Sequence, residues 1–282
     1  MKKSFILLVF ILQNILLFGQ KDFSFVFLPD IHLSPDSAVV ADFDNVIKKV
    51  NKLNPDFILT GGDMIYTAKN VDEKKAKILF DFMDVKFKQL NMPIYYGIGN
   101  HEIVGLTAES GMDTSHPLWG KAMYEKRYGK RYRSFIHSGW KFILLDGMKI
   151  LEEKRNYATG VDSVQINWLK NELNETDKKT PIVIFKHTPF IFPKALYDSQ
   201  SQALSAESEA ILNLFNDHNL KMVLQGHNHV YMNLLINGIH YISGGSTWFE
   251  PHLGLNNGFV FVTIKNNTAD IKFIETGIDT NK

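Results

Sequence analysis

The run Phe23-Ser24-Phe25-Val26-Phe27-Leu28-Pro29-Asp30-Ile31-His32 opens as a strand and closes on an acid and an imidazole two residues apart. The same order, an apolar strand and then a polar loop, recurs four times. Phe57 to Leu59 leads into Gly61-Gly62-Asp63, and Ile94 to Ile98 into Gly99-Asn100-His101-Glu102. Ile182 to Phe185 leads into Lys186-His187-Thr188, and Met222 to Leu224 into Gly226-His227-Asn228-His229. Phe142 to Leu145 is a further strand without such a loop.

Helical patterns separate these strands. Val39, Val40, Phe43, Val46, Ile47, Val50 and Leu53 recur at three- and four-residue spacing, the mark of an amphipathic helix. Helices are also expected over Lys74–Leu90, Ser163–Leu173 and Ser205–His218. The last sixty residues change to strands alone: Tyr231–Ile236, Ile239–Ile242, Phe259–Ile264 and Ile271–Ile274. Asn237-Gly238 is a hairpin turn between the first two. This order implies an α/β chain of the α+β type: two β-sheets of mixed direction forming a sandwich flanked by helices. No internal repeat or low-complexity linker divides residues 20–282, which read as one domain. Val104–Arg133 and Thr188–Gln202 show little regular pattern, and loops that long are usually functional.

Ligands of open α/β sheets sit beyond the carboxyl ends of strands, where all five polar loops fall. Asp30 and His32 are two apart, so an extended segment would turn both to one face, and His227 and His229 repeat the spacing. Carboxylates and imidazoles suit Mn, Fe and Zn, with Asn as a neutral oxygen donor. Asp63 has two carboxylate oxygens and can bridge two ions. Each motif alone is weak, since a lone His is more often a satisfied core residue. Five in order, each at a strand end, are not.

With these motifs the sequence resembles the calcineurin-like metallophosphoesterases over roughly Phe25 to Ser246. The resemblance implies a four-layer αββα fold and a two-metal centre of Fe, Mn or Zn. It implies one metal on Asp30, His32, Asp63 and His229 and another on Asp63, Asn100, His187 and His227. By the same resemblance His101 is expected beside them, as a general acid rather than a ligand. Two adjacent metals clamp a phosphoryl group and acidify a bound water, whose hydroxide attacks phosphorus in line. Tyr66, three residues after Asp63, resembles the purple acid phosphatase branch, where a tyrosine there binds ferric iron. That branch has glycine where this chain has His32, so Tyr66 is expected behind the ligands or in the pocket wall. Lys186 could touch a phosphate oxygen or be a solvated strand-end lysine. His116 could reach substrate from its loop, and Glu102 could orient His101. Trp119, Tyr124 and Phe192 are candidates for a lid or for ordinary packing. His137, His218, His240 and His252 are expected to be structural or exposed.

Composition narrows the function further. Thirty-one basic residues against thirty acidic leave no general nucleic-acid-binding face. The absence of cysteine closes thiolate zinc sites, a cysteine nucleophile and a lipoprotein anchor. No His-Glu-x-x-His helix of a metalloprotease is present. Lys2, Lys3 and the apolar run Phe5–Phe18 read as a signal peptide over residues 1–19, leaving a periplasmic or secreted protein without a stable membrane anchor. An uncleaved anchor is the competing reading, but the run is short for a bilayer span. The expected partner is a small phosphate ester, with oligomeric state open. Export and Tyr66 lean toward a phosphomonoesterase; the Asp-x-His start leans toward a phosphodiesterase of cyclic nucleotides or other diesters. A non-catalytic binding scaffold of the same fold is the alternative of another class.

Overall fold

The computed structural model describes residues 21–35, 37–192, 204–247 and 257–276. The proposed signal peptide and His252 lie outside the described residues. In chain order the first half contains β1 (Phe23–Leu28), α1 (Ser37–Leu53), β2 (Phe57–Thr60), α2 (Glu73–Phe87), β3 (Ile94–Tyr95), α3 (Ala122–Tyr128) and β4 (Arg133–His137). Then come β5 (Trp140–Leu145), β6 (Met148–Leu151), β7 (Asn156–Thr159), α4 (Ser163–Asn174), β8 (Pro181–Lys186) and α5 (Ala206–Asn213). The chain ends with β9 (Asn219–Gln225), β10 (Tyr231–Ile236), β11 (Ile239–Gly244), β12 (Gly258–Lys265) and β13 (Thr268–Glu275).

Strand alternation builds the layers. Phe25 and Phe27 of β1 face one way, with Phe57 and Leu59 of β2, toward Phe142 and Leu144 of β5 and Val183 and Phe185 of β8. These side chains form the apolar filling between two sheets. The intervening Val26 and Leu28 point to the other face, where Phe43, Val46 and Val50 of α1 and Phe80 and Met83 of α2 cover them. Ile143, Leu145, Ile182 and Ile184 do the same for the second sheet, under Leu169 and Leu173 of α4 and Ile211 of α5. The result is the expected sandwich of four layers, helix–sheet–sheet–helix.

Both sheets are mixed. One has the order β13-β12-β1-β2-β3, parallel from β1 to β3 and antiparallel beyond. The other has the order β10-β11-β9-β8-β5-β4, parallel through its four central strands and antiparallel at both edges. Asn237 and Gly238 both adopt positive φ between β10 and β11, as a two-residue hairpin requires.

Three elements depart from expectation. The strand expected over Ile94–Ile98 stops at Tyr95, because the Gly97 N–H donates to the Thr60 side-chain oxygen (2.9 Å) instead of continuing the ladder. The helix expected over Ser205–His218 ends at Asn213 and passes into turns. The stretch Val104–Arg133, read as irregular, carries α3, and the β6–β7 hairpin follows it.

Candidate metal centre

The polar loops leave the carboxyl ends of β1, β2, β3, β8 and β9 and meet at one rim of the sandwich. The first two are zipped by backbone hydrogen bonds: Asp30 N–H donates to Gly62 O (3.0 Å), His32 N–H to Asp63 O (2.9 Å) and Leu33 N–H to Met64 O (3.0 Å). Gly62 has φ of 79°, and a Cβ there would stand 2.6 Å from the Gly99 nitrogen. Only glycine lets the second and third loops close to this distance.

Asp30, His32, Asp63, His227 and His229 all adopt left-handed φ, between 49° and 73°. The extended segment expected at Asp30–His32 and His227–His229 is therefore wrong: Asp30 and His32 still reach one group of side chains, while His227 and His229 go to different ones. The same loop bonds hold this conformation. His227 N–H donates to both oxygens of Asp30 (3.0 Å each), and the Ser246 hydroxyl donates to the Asp30 carbonyl (2.7 Å). Non-glycine residues in this region cost of order 1–3 kcal/mol each and gather at functional sites.

Three groups of side chains come close enough to share an ion: Asp30, His32 and His229; Asp63, His187 and His227; and His32, Asp63 and His101. Nε2 atoms of His32 and His229 lie 3.0 Å apart, and His229 Nε2 is 3.6 Å from Asp30 Oδ1. His187 Nε2 is 3.2 Å from Asp63 Oδ2 and 3.2 Å from Asn100 Oδ1. Asp63 Oδ2 is also 3.9 Å from His32 Nε2, so one carboxylate lies between the first two groups. A cavity of about 680 Å³ opens over them.

The side chains around this set explain its geometry. The His187 Nδ1–H donates to Gly61 O (2.7 Å), which aims Nε2 inward. His101 Nδ1–H donates to the Tyr66 carbonyl, which leaves Nε2 3.8 Å from Asp63 Oδ2 at the cavity wall. Glu102 does not orient His101. Its buried carboxylate accepts from the backbone N–H of Gly99 (2.7 Å), Asp63 (2.9 Å) and Met64 (2.7 Å), and so bolts the second loop to the third. The Tyr66 side chain is 49% exposed and lines the cavity.

Lys186 is neither solvated nor at the site. It alternates to the helix-covered face of β8, buried, with Nζ 4.6 Å from the centre of the Phe190 ring, and burial pulls its pKa down to about 8. His116 pairs with Glu73 (3.3 Å) and is absent from the cavity wall. Trp119 and Tyr124 pack by donating to Gly105 O and Tyr96 O (2.9 Å each), and Phe192 is partly buried. His137 meets Phe23 edge-on and Phe57 at a tilt, His218 lies 3.1 Å from Lys178 Nζ, and His240 meets Asn233. Sequence reasoning missed Thr67, Lys69, Asn70, Thr107 and Glu109, which complete the wall. Their one signal was position, six or seven residues past a motif acid or histidine at most.

Residues 23–231 match the calcineurin-like phosphoesterase family. The chain belongs to that family. A 3',5'-cyclic-nucleotide phosphodiesterase of Nostoc sp. is 21% identical over 230 residues, 79% of this chain and 77% of that relative. A transmembrane protein with a metallophosphoesterase domain from Danio rerio is 24% identical over 173 residues. That match takes in 61% of this chain, which spans only 36% of the relative's length. A crystal structure of a dimetal phosphatase from Danio rerio shares the fold, with a TM-score of 0.67 at 14% identity over 90% of this chain and 96% of that one.

The donor set of this calcineurin-like phosphoesterase fits cations. Asp30, His32, Asp63, Asn100 and His187 are at most 3% exposed. Among the described residues, neither Asp30 nor Asp63 pairs with a lysine or arginine. Buried carboxylates in that state need a positive partner. Burial holds His32 down at about 3 and His227 at about 4, so both rings are neutral and offer lone pairs. For His187 burial pulls the same way, but Asp63 outweighs it and lifts the ring to about 10. Burial also raises Asp30 well above the carboxylate range, with Asp63 adding to it. Protons thus gather where cations would compete for the same lone pairs.

Proposed function

We propose that the protein hydrolyses phosphate esters with two metal ions, one on Asp30, His32, Asp63 and His229, the other on Asp63, Asn100, His187 and His227. The observation that carries this reading is Asp63, whose Oδ2 faces His187 at 3.2 Å and His32 at 3.9 Å. Cations bound there supply Lewis acidity and an activated water. The protein's own residues do the rest. The Tyr66 carbonyl fixes the tilt of His101 through Nδ1–H, and Nε2 faces the cavity. In its doubly protonated form the ring also carries a proton on Nε2, which passes to the ester oxygen as its bond to phosphorus breaks and leaves neutral His101 still donating from Nδ1–H. The Gly61 carbonyl keeps His187 aimed, and Glu102 keeps Asp63 and Asn100 in register.

Phosphomonoesters are the preferred substrates in this reading. Diesters form the second reading, supported by the Nostoc relative that acts on cyclic nucleotides. A binding scaffold is disfavoured because the donor set is complete. Purified protein should hydrolyse nitrophenyl phosphate faster than its bis ester, and a chelator should abolish both activities. Equal rates in chelator would contradict the proposal, and a faster bis ester would favour the second reading.

The protein is further proposed to act outside the cytoplasm, on the strength of Lys2, Lys3 and the apolar run Phe5–Phe18. Intact mass from the native host should show the loss of about twenty residues. Full-length chain in the membrane would contradict export in soluble form.

A further inference from the structure

One side chain in the cavity wall carries a charge that the metal centre does not use. Lys69 lies six residues past Asp63, on the loop that leaves β2. Its backbone is pinned on both sides. Ala68 N–H donates to His101 O (2.8 Å), Gly105 N–H to Ala68 O (2.9 Å) and Thr107 N–H to Lys69 O (2.9 Å). The stem is thereby fixed beside the proposed acid. The ammonium lies 5.9 Å from the centre of the Tyr157 ring, and among the described residues it makes no hydrogen bond or ion pair. It feels the carboxylates of Asp63 and Glu102, and His101 feels its charge in turn. Burial pulls its pKa below that of an ordinary lysine, opposed by those two carboxylates.

A half-buried cation in the cavity wall, with no hydrogen bond or ion pair among the described residues, is suited to bind an anion. The chemistry of the ester says which anion it fits. A phosphodiester has two non-bridging oxygens, and a metal pair held by the proposed ligands would supply the positive charge for both. A monoester dianion has a third, which carries charge and needs a donor of its own. We propose that the Lys69 ammonium binds this third oxygen and selects phosphomonoester dianions over diesters. The inference rests on the proposed function above. In a diester the same position holds an esterified oxygen, which gives Lys69 nothing to pair with.

Lys69→Met keeps most of the apolar stem and removes the charge. It should lower kcat/KM for nitrophenyl phosphate by about 10–100-fold, the range of a charge-assisted hydrogen bond. The loss for bis(nitrophenyl) phosphate should be clearly smaller. Calorimetry on the metal-loaded proteins supplies a readout without turnover: inorganic phosphate should bind the variant more weakly by a similar factor. Lys69→Arg should restore most of that affinity, and metal content should match wild type in both variants. Equal losses on the two esters, unchanged phosphate affinity, or a lost metal would overturn the proposal. A wild type that hydrolyses neither ester would instead remove the function on which the proposal stands.

Discussion

Asp30 and His32 show how far single residues can be read. Their chemistry is plain from the sequence, and so is that of Asp63, Asn100, His187, His227 and His229. Their backbone conformation is not. Left-handed φ at Asp30 and His32 is imposed by hydrogen bonds to the Gly62 and Asp63 carbonyls, thirty residues away in the chain. No local pattern announces such a contact. Glu102 is a similar case: a neighbour of His101 in sequence, it serves the backbone of Asp63 and Met64 instead. His101 itself can be tested by its chemistry. With Nδ1–H held by Tyr66, its Nε2 is the atom that would meet the departing oxygen in the proposed reaction. An alkoxide needs that proton and nitrophenolate does not. His101→Ala should therefore lower kcat on alkyl phosphates by about 10²–10⁴-fold, lose less on nitrophenyl esters, and keep both metals. A uniform loss across the leaving groups, or a vanished metal, would assign His101 to loop structure alone.

At the level of elements, segments with a clear apolar pattern were legible, the four-residue β2 included, and those without one were not. The helix α1 and strands β1, β5, β8 and β9 fall where apolar spacing puts them. The hairpin β6–β7 escaped notice because only one residue of its two four-residue strands, Met148, is buried, which leaves no apolar pattern to read. Its tip carries Arg155, at φ 47°, whose Nη2 donates to the carbonyls of Gly105, Thr107 and Met112 (2.9–3.0 Å). One guanidinium thus gathers the loop that brings Thr107 and Glu109 to the cavity. Several hydrogen bonds to a charged group are lost together in Arg155→Met, a cost of about 1–3 kcal/mol. The variant should show faster backbone hydrogen exchange over residues 104–112 and a lower Tm, while exchange in β1 and β8 stays slow. Unaltered exchange in that loop would show that the latch is incidental.

Across the whole molecule, the sandwich is what makes one site from five motifs. Asp30, Asp63 and Asn100 come from the sheet centred on β1, and His187, His227 and His229 from the sheet centred on β9. The sequence shows that each motif follows a strand, but not which strands pair. The last two strands, β12 and β13, join the first sheet beside β1, a pairing across more than two hundred residues that no spacing reveals. Asp63 is where the two sheets' contributions meet, 3.2 Å from His187 on one side and 3.9 Å from His32 on the other. A cation pair there would cross-link the layers, and ions that bind only the folded state raise its stability by mass action. The sharpest check is the number of manganese ions retained per chain after saturation and desalting, measured by elemental analysis on wild type and Asp63→Asn in parallel. Two ions in wild type, with both sites weakened together in Asp63→Asn, is the expected result. A single ion in wild type, or two at full occupancy in Asp63→Asn, would contradict a metal pair bridged by Asp63.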